Sequence, residues 1–368
     1  MLQKTASVWR YFDLWLAAAV ILLTGYGVLI IRSAITGTPA FVGYEMRQLA
    51  FAAVGVVVMV AIAAVDYRIL TSSHWYIYLG LIASLILVLL VGTIGNASRR
   101  WFALGPVNLQ PSEIGRILLA VTFAQFLAQR QHLMQRFSNT IVSLIYVGIP
   151  IGFIFIQPDL GMSVLFLVMW FVMIFMAGLP LSHFAVLATT GLMAALAVLP
   201  FLADYQKERI TAFVDPAAVP EQAFNIDQAV ISIGSGGWFG KGYLQGTQSQ
   251  LGFLRVQHTD FIFSVLTHEM GLLFGSLVVL GLMGFILWRI LLVAQITQDP
   301  AGRLICVGIA GGLFFQTVVS VGMNVRLLPV TGLTLPFVSY GGSSLVTLFV
   351  AIGVVQSIRM RHRKQEFG

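Results

Sequence analysis

Charge is what this sequence has least of. Asp, Glu, Lys and Arg make up 10% of its 368 residues, against about 25% in a soluble domain. So few charges cannot cover the surface of a soluble globule, and 58% of the residues are hydrophobic, so the solvent for most of the chain is lipid. Cysteine is nearly absent. Cys306 stands alone, which excludes an intramolecular disulfide and any metal or iron–sulfur centre built from thiolates. Acids number 14 against 21 basic residues, a net charge of +7; in so apolar a chain that excess marks cytoplasmic loops, and no nucleic-acid partner is expected. There is no internal repeat, heptad run or low-complexity stretch, so neither a solenoid nor a two-fold transporter repeat is signalled. His258 with Asp260, and His268 with Glu269, lack the i, i+4 histidine spacing of a helical zinc site. A nucleophile elbow is missing too, because Ser339-Tyr340-Gly341-Gly342-Ser343 puts tyrosine where the nucleophile would stand. No organic cofactor is expected.

What the chain does have is long apolar runs. They predict ten transmembrane helices at about 14–32, 46–65, 75–94, 111–130, 138–157, 160–177, 182–202, 261–288, 303–325 and 337–358. The run from Leu160 to Ala203 is twice the length of one span, and Gly178, Pro180 and Ser182 divide it. The fold class is therefore an all-α polytopic membrane protein, a single membrane domain over 1–368, with one large extracytoplasmic loop, 203–260, between helices seven and eight. The first run follows Lys4 and Arg10 but is longer than a signal-peptide core, so it stays as helix one. An even number of crossings puts both termini on one side, and Arg359, Arg361, Arg363 and Lys364 mark that side as cytoplasm. Arg99, Arg100, Lys207, Arg209, Lys241, Arg255 and Arg326 then fall outside. Snorkelling explains any one of them; together they argue for an anionic ligand on the outer face.

The loop 203–260 is richer in charge than the rest and meets water. Phe224, Ile226, Val230 and Ile233 recur there at helical spacing, as in a short helix lying on the membrane or packing within the loop. The segment Ser235 to Gly242 resembles a phosphate loop but has Ser235 and Gly242 where that motif needs Gly and Ser or Thr. It reads as a turn permitting close backbone approach, with Lys241 a candidate phosphate contact. Glu113 and Arg116 share a helix face three residues apart, behind Pro111. They form either a structural ion pair or the wall of a polar cavity that also receives Arg100 and Trp101. Asp159 lies at an outer turn, where it caps a helix or lines that cavity. Asp260 opens a helix straight after the charged loop, the place for a cap, a general base or a cation ligand.

These residues sit in motifs that resemble one family. Arg100-Trp101 with Gln110-Pro111-Ser112-Glu113, Gln157-Pro158-Asp159-Leu160-Gly161, Gly234-Ser235-Gly236-Gly237, His258-Thr259-Asp260-Phe261-Ile262-Phe263 and Pro336-Phe337-Val338-Ser339-Tyr340-Gly341-Gly342-Ser343-Ser344 occur in the order found in the SEDS family (shape, elongation, division and sporulation). Gly246-Thr247-Gln248-Ser249-Gln250-Leu251 looks like its elongation branch rather than its division branch. The resemblance implies a ten-helix peptidoglycan glycosyltransferase of the bacterial cytoplasmic membrane. Such an enzyme polymerises lipid II on the outer face, beside a class B penicillin-binding protein that cross-links the product. It further implies an essential catalytic acid at Asp260 and cavity roles for Glu113 and Asp159, and Ser343 is a further candidate for that cavity. Three positions depart from the family pattern: Leu254-Arg255-Val256 lacks a usual acid, Arg116 replaces a usual Lys, and Ser320 stands where Asn is common.

The chemistry that the resemblance implies fits the charge map. An α-linked donor on undecaprenyl pyrophosphate giving a β-1,4 bond requires inversion, hence one displacement and one base, which Asp260 supplies. Arg100, Arg255, Lys241 and a divalent cation, magnesium or manganese, would neutralise the leaving pyrophosphate, and Asp260 could instead anchor the cation. The alternatives are a lipid II flippase, which also needs a lateral polar cavity, and a scaffold of the cell-wall synthases.

Overall fold

The computed structural model describes residues 8–36, 41–95, 98–104, 107–254 and 256–362. In chain order it contains α1 (Leu14–Ile35), α2 (Tyr44–Ala64), α3 (His74–Val91), α4 (Pro111–Arg130), α5 (Phe137–Ile156), α6 (Leu160–Met176) and α7 (Leu181–Val198). There follow α8 (Asp204–Val214), α9 (Pro220–Gly236), α10 (Ile262–Gly271), α11 (Val278–Ile296), α12 (Pro300–Asn324) and α13 (Gly342–Arg361).

Seven helical stretches are long and apolar enough to cross a membrane: α1, α2, α3, α5, the composite Ile262–Ile296, α12 and α13. Residues 185–201 meet α8 at a bend of 116° and together make an eighth candidate. Glu113 and Arg116 make α4 more polar than these, and α6 is short at 17 residues. The chain is thus a multi-pass membrane protein. In α12 and α13, 72% of the apolar window is buried inside the bundle, against 22% in α2; the first two are central, and α2 turns most of its surface to lipid.

Both ends of the chain meet at one end of the bundle. Asp13 caps α1, accepting from the Leu16 N–H at 3.1 Å, and pairs with Arg289 at 2.6 Å and Arg359 at 3.1 Å. Beside it Arg361 donates to the last carbonyls of α2, Ala63 at 2.9 Å and Ala64 at 2.6 Å. At the other end of α2, Gln48 donates to the Ser339 carbonyl at 3.1 Å and accepts from the Gly341 N–H at 3.2 Å. The acids singled out by sequence gather at this second end.

Two boundaries beside the site differ from expectation, and the helix predicted to end at 288 runs on to Ile296. The helix predicted to 94 stops at Val91, because Thr93–Gly95 (β1) pairs antiparallel with Ser98–Leu104 (β2), which pairs with Val107–Leu109 (β3). This small sheet corrects the all-α expectation. The helix predicted from 337 begins at Gly342, because the backbone of 339–341 is bonded outward to Gln48 and to residue 258. In the 203–260 loop, α9 buries Ala223, Ile226, Ala229 and Ser232, while Phe224 and Val230 of the predicted stripe are 47% and 39% exposed.

The helix after Asp260 is broken. Gly271 has φ +75°, a π-helical turn follows over Leu272–Leu277, and α11 continues from there. The break frees backbone groups, and the glycine-rich segment after α9 takes them up. Leu272 N–H donates to the Gly237 carbonyl at 2.9 Å and Leu273 N–H to that of Trp238 at 3.1 Å. In return the N–H groups of Lys241 and Gly242 donate to His268 and Glu269, both at 3.0 Å. Non-helical backbone in an apolar setting persists only where its polar groups are paired in this way.

Candidate functional site

Asp159 stands at the junction of α5 and α6, where its side chain caps α6 through the Met162 N–H at 3.1 Å. Its other oxygen accepts from Gln110 Nε2 at 2.9 Å and faces Arg100 at 3.7 Å. Strand pairing explains the arginine. Thr93 pairs with Trp101 and Ile94 with Arg99, so Arg100 is the extra residue of a β-bulge, a device that re-aims a side chain out of the ladder. Its guanidinium donates to the carbonyls of Gln157 at 2.7 Å and Pro158 at 2.5 Å, and to the Tyr205 hydroxyl. Trp101, one residue on, is half-buried and shares no hydrogen bond with this group among the described residues. Burial pushes the Asp159 carboxyl above the usual carboxylate range, against the pull of Arg100, the Met162 N–H and Gln110.

Gln110 joins this cluster to a second one. Its N–H donates to the Ser343 hydroxyl at 3.4 Å, and one turn along α4 lies the buried pair Glu113 and Arg116, 2.9 Å apart. Arg116 also donates to Gln316 of α12 at 2.6 Å and to Ser344 of α13 at 3.5 Å. The pair therefore ties α4 to the two central helices. The family departure at this position keeps charge and adds the planar fork that reaches two helices at once.

Asp260 forms the third cluster, on the turn that leads into α10. Asn324, the last residue of α12, donates to the Asp260 carbonyl at 2.9 Å. The same amide accepts from the Ser264 N–H at 3.1 Å and from its hydroxyl at 2.6 Å, fixing the start of α10. Behind the turn, Ser339 donates to the Thr259 carbonyl at 2.7 Å and Tyr340 N–H to that of His258 at 2.9 Å. His258 is buried against Phe41, with ring centroids 4.4 Å apart, and that burial lowers its basicity. The backbone of Asp260 is held rigidly, whereas its side chain makes no ion pair among the described residues and is half-buried. Burial by surrounding protein pushes that carboxyl above the usual range, while Arg209 and the Thr259 hydroxyl pull the other way. A rigidly mounted aspartate with raised proton affinity is what a general base requires.

The remaining expectations divide. Lys241 is exposed, and its N–H is bonded to His268, eight residues past Asp260 and about 12 Å along a helix axis. Arg255 lies outside the described residues. Ser320 is fully buried; its carbonyl accepts from Asn324 at 2.7 Å, so the amide that serves Asp260 sits one turn beyond the position compared in the sequence. Asn324, Gln316, Gln48 and Tyr205 were not singled out by sequence, and Gln110 entered only as part of a motif. Their signal is an amide or hydroxyl at the end of, or inside, an apolar run.

No group of three or more His, Cys, Asp or Glu able to hold a metal occurs among the described residues, and Arg209 bears on the one carboxylate at the Asp260 turn. One carboxylate does not by itself make an all-protein cation site. A groove of about 580 Å³ between α11 and α12, lined by Leu280, Met283, Phe314 and Val318, contains no ionisable group.

Comparison with known proteins places this arrangement. Residues 8–364 match the cell cycle protein family of FtsW, RodA and SpoVE. The peptidoglycan glycosyltransferase MrdB of Escherichia coli strain K12 is 38% identical over 342 residues, covering 92% of this chain and 90% of the relative. A chain from a solved structure on the coordination of polymerization and crosslinking by a peptidoglycan synthase complex superposes with a TM-score of 0.82 at 30% identity, covering 97% and 99% of the two chains. The Thermus thermophilus rod shape determining protein RodA gives 0.72 at 30% identity, covering 96% and 98%. With helices, motifs and relatives agreeing over nearly its whole length, the chain belongs to the FtsW, RodA and SpoVE family, the SEDS family of the sequence motifs.

Proposed function

We propose that this peptidoglycan glycosyltransferase polymerises lipid II at the end of the bundle remote from its termini, with Asp260 as the base. The 4-hydroxyl of the acceptor N-acetylglucosamine attacks the anomeric carbon of a chain carried on undecaprenyl pyrophosphate. The new C–O bond forms as the bond to the pyrophosphate oxygen breaks, the anomeric configuration inverts, and the hydroxyl proton passes to the Asp260 carboxylate. What supports this reading best is the mounting of Asp260: Asn324 and the Ser339 turn fix its backbone while its carboxylate stays free of cations. Asp159, Gln110, Glu113, Arg116 and Ser343 hold the wall beside it.

The termini belong in the cytoplasm and the acids outside, with ten crossings once α4, α6 and α7 are counted. The clustering of Arg289, Arg359 and Arg361 at the terminal end agrees with the positive-inside rule. A class B penicillin-binding protein is the proposed partner in the membrane, in keeping with the synthase complex to which the chain is similar. Magnesium or manganese would enter with the pyrophosphate, and no step depends on it here.

Detergent micelles test the proposal, since they have no second leaflet. Purified protein with its partner should convert lipid II to glycan polymer there, whereas a flippase would make none. A scaffold predicts that Asp260 variants leave cell shape unchanged.

A further inference from the structure

Neutralising the leaving pyrophosphate needs a cation whose donors are free, and three of the arginines at this end are engaged. Arg100 is bonded to two carbonyls and a hydroxyl. Arg326 pairs with Asp227 at 2.7 Å, Arg99 donates to the Leu90 carbonyl at 3.3 Å, and Lys241 lies beside the far end of α10. Arg209 differs. It sits on α8, one turn after Tyr205 and Gln206, whose side chains both bond the Pro158 carbonyl and so fasten α8 to the Asp159 turn.

From that anchored helix the Arg209 guanidinium lies 5.6 Å from the centre of the Tyr205 ring, and Arg100 lies at 5.8 Å from the same ring. Its Nη1 approaches Gly332, where an added Cβ would stand 3.4 Å away. Arg209 is thus lodged between the Asp159 turn and the 331–335 segment. Among the described residues it makes no hydrogen bond and no ion pair, and it is half-buried. Its positive charge acts on both Asp159 and Asp260, yet it pairs with neither. The donors of this half-buried guanidinium face solvent and not protein acceptors, so an anion can take them without breaking a protein bond.

We propose that Arg209 binds the diphosphate of the undecaprenyl-linked donor, gripping it bidentately and strengthening its hold as negative charge grows on the leaving oxygen. A guanidinium fork matches phosphate geometry, and Arg209 can turn its free donors to an anion without breaking any hydrogen bond described above. The assignment rests on the glycosyltransferase reading, because it takes the donor's leaving group as the ligand.

The test uses the chain with its penicillin-binding partner in detergent, as wild type, Arg209→Lys and Arg209→Gln. Two readouts are made: binding of undecaprenyl pyrophosphate, with undecaprenyl monophosphate as control, and lipid II polymerisation across pH. Arg209→Gln should weaken pyrophosphate binding about tenfold or more and lower kcat, monophosphate binding should change less, and Arg209→Lys should recover part of each. If Arg209→Gln keeps wild-type affinity and only the acid limb of the pH profile moves, Arg209 acts through Asp260 and the assignment is wrong. If Arg209→Gln does not assemble, Arg209→Lys decides: weakened pyrophosphate binding supports the assignment and unchanged binding overturns it. The binding arm needs no turnover, so wild-type protein that binds the diphosphate but makes no polymer would contradict the glycosyltransferase reading alone.

Discussion

At the residue scale, the polar groups fall into those that hold the bundle together and those left free to react. Glu113 and Arg116 hold: buried 2.9 Å apart, they connect α4 with α12 and α13. Glu113→Gln leaves a buried guanidinium without its counter-charge and should destabilise the protein by about 3–5 kcal/mol. Thermal unfolding in detergent checks this, with Glu113→Gln/Arg116→Gln expected to recover part of the loss; a single variant melting like wild type would refute it. Asn324 positions, and Asn324→Ala should lower kcat by up to about 10²-fold, by letting Asp260 shift, while the complex stays folded. Glu113 and Arg116 were legible in the sequence because paired charges in an apolar run admit few other readings. Asn324 and Gln316 were not: an amide in a hydrophobic helix looks like a cap until the carbonyl it serves is known, and for Asn324 that carbonyl is 64 residues away.

At the scale of elements, the informative join is between the glycine-rich segment and the broken helix. The sequence excluded a phosphate loop at Ser235 to Gly242 and expected a close backbone approach, but it could not name what is approached. The structure supplies the partner. A Cβ on Gly240 would stand 2.1 Å from the Glu269 carbonyl oxygen, and one on Gly271 would stand 2.3 Å from the Gly240 nitrogen. Both glycines also have positive φ, +82° and +75°. Gly240→Ala and Gly271→Ala should each cost at least about 1–3 kcal/mol from backbone strain alone. Gly25→Ala, at a helical site with nothing within 4 Å of the new methyl, should be neutral or stabilising. Melting curves of the three compare them directly; equal melting would mean the segment does not pack as described. The β-bulge at Arg100 was equally hidden, since one added residue in a seven-residue strand leaves no mark on a hydropathy pattern.

At the scale of the whole molecule, hydropathy made the membrane class and most helices legible, because burying backbone in lipid leaves helices as nearly the only solution. It misjudged the two places where backbone leaves a helix to serve the site, residues 93–109 and 337–341. The three clusters come from distant parts of the chain, yet they converge at the end of the bundle opposite the termini, on elements bonded to α12 and α13. That convergence is the ground for proposing Asp260 as the centre of the chemistry. With its carboxyl pushed above the usual range by burial, and active only when deprotonated, polymerisation should rise with pH through a midpoint above about 3.9 and then level off. The most direct measurement is the rate of lipid II polymerisation by the Asp260→Asn protein, folded and bound to its penicillin-binding partner in detergent, relative to wild type. The account predicts a fall of about 10²–10⁴-fold, with the pH dependence abolished; a rate within about twofold of wild type would contradict it.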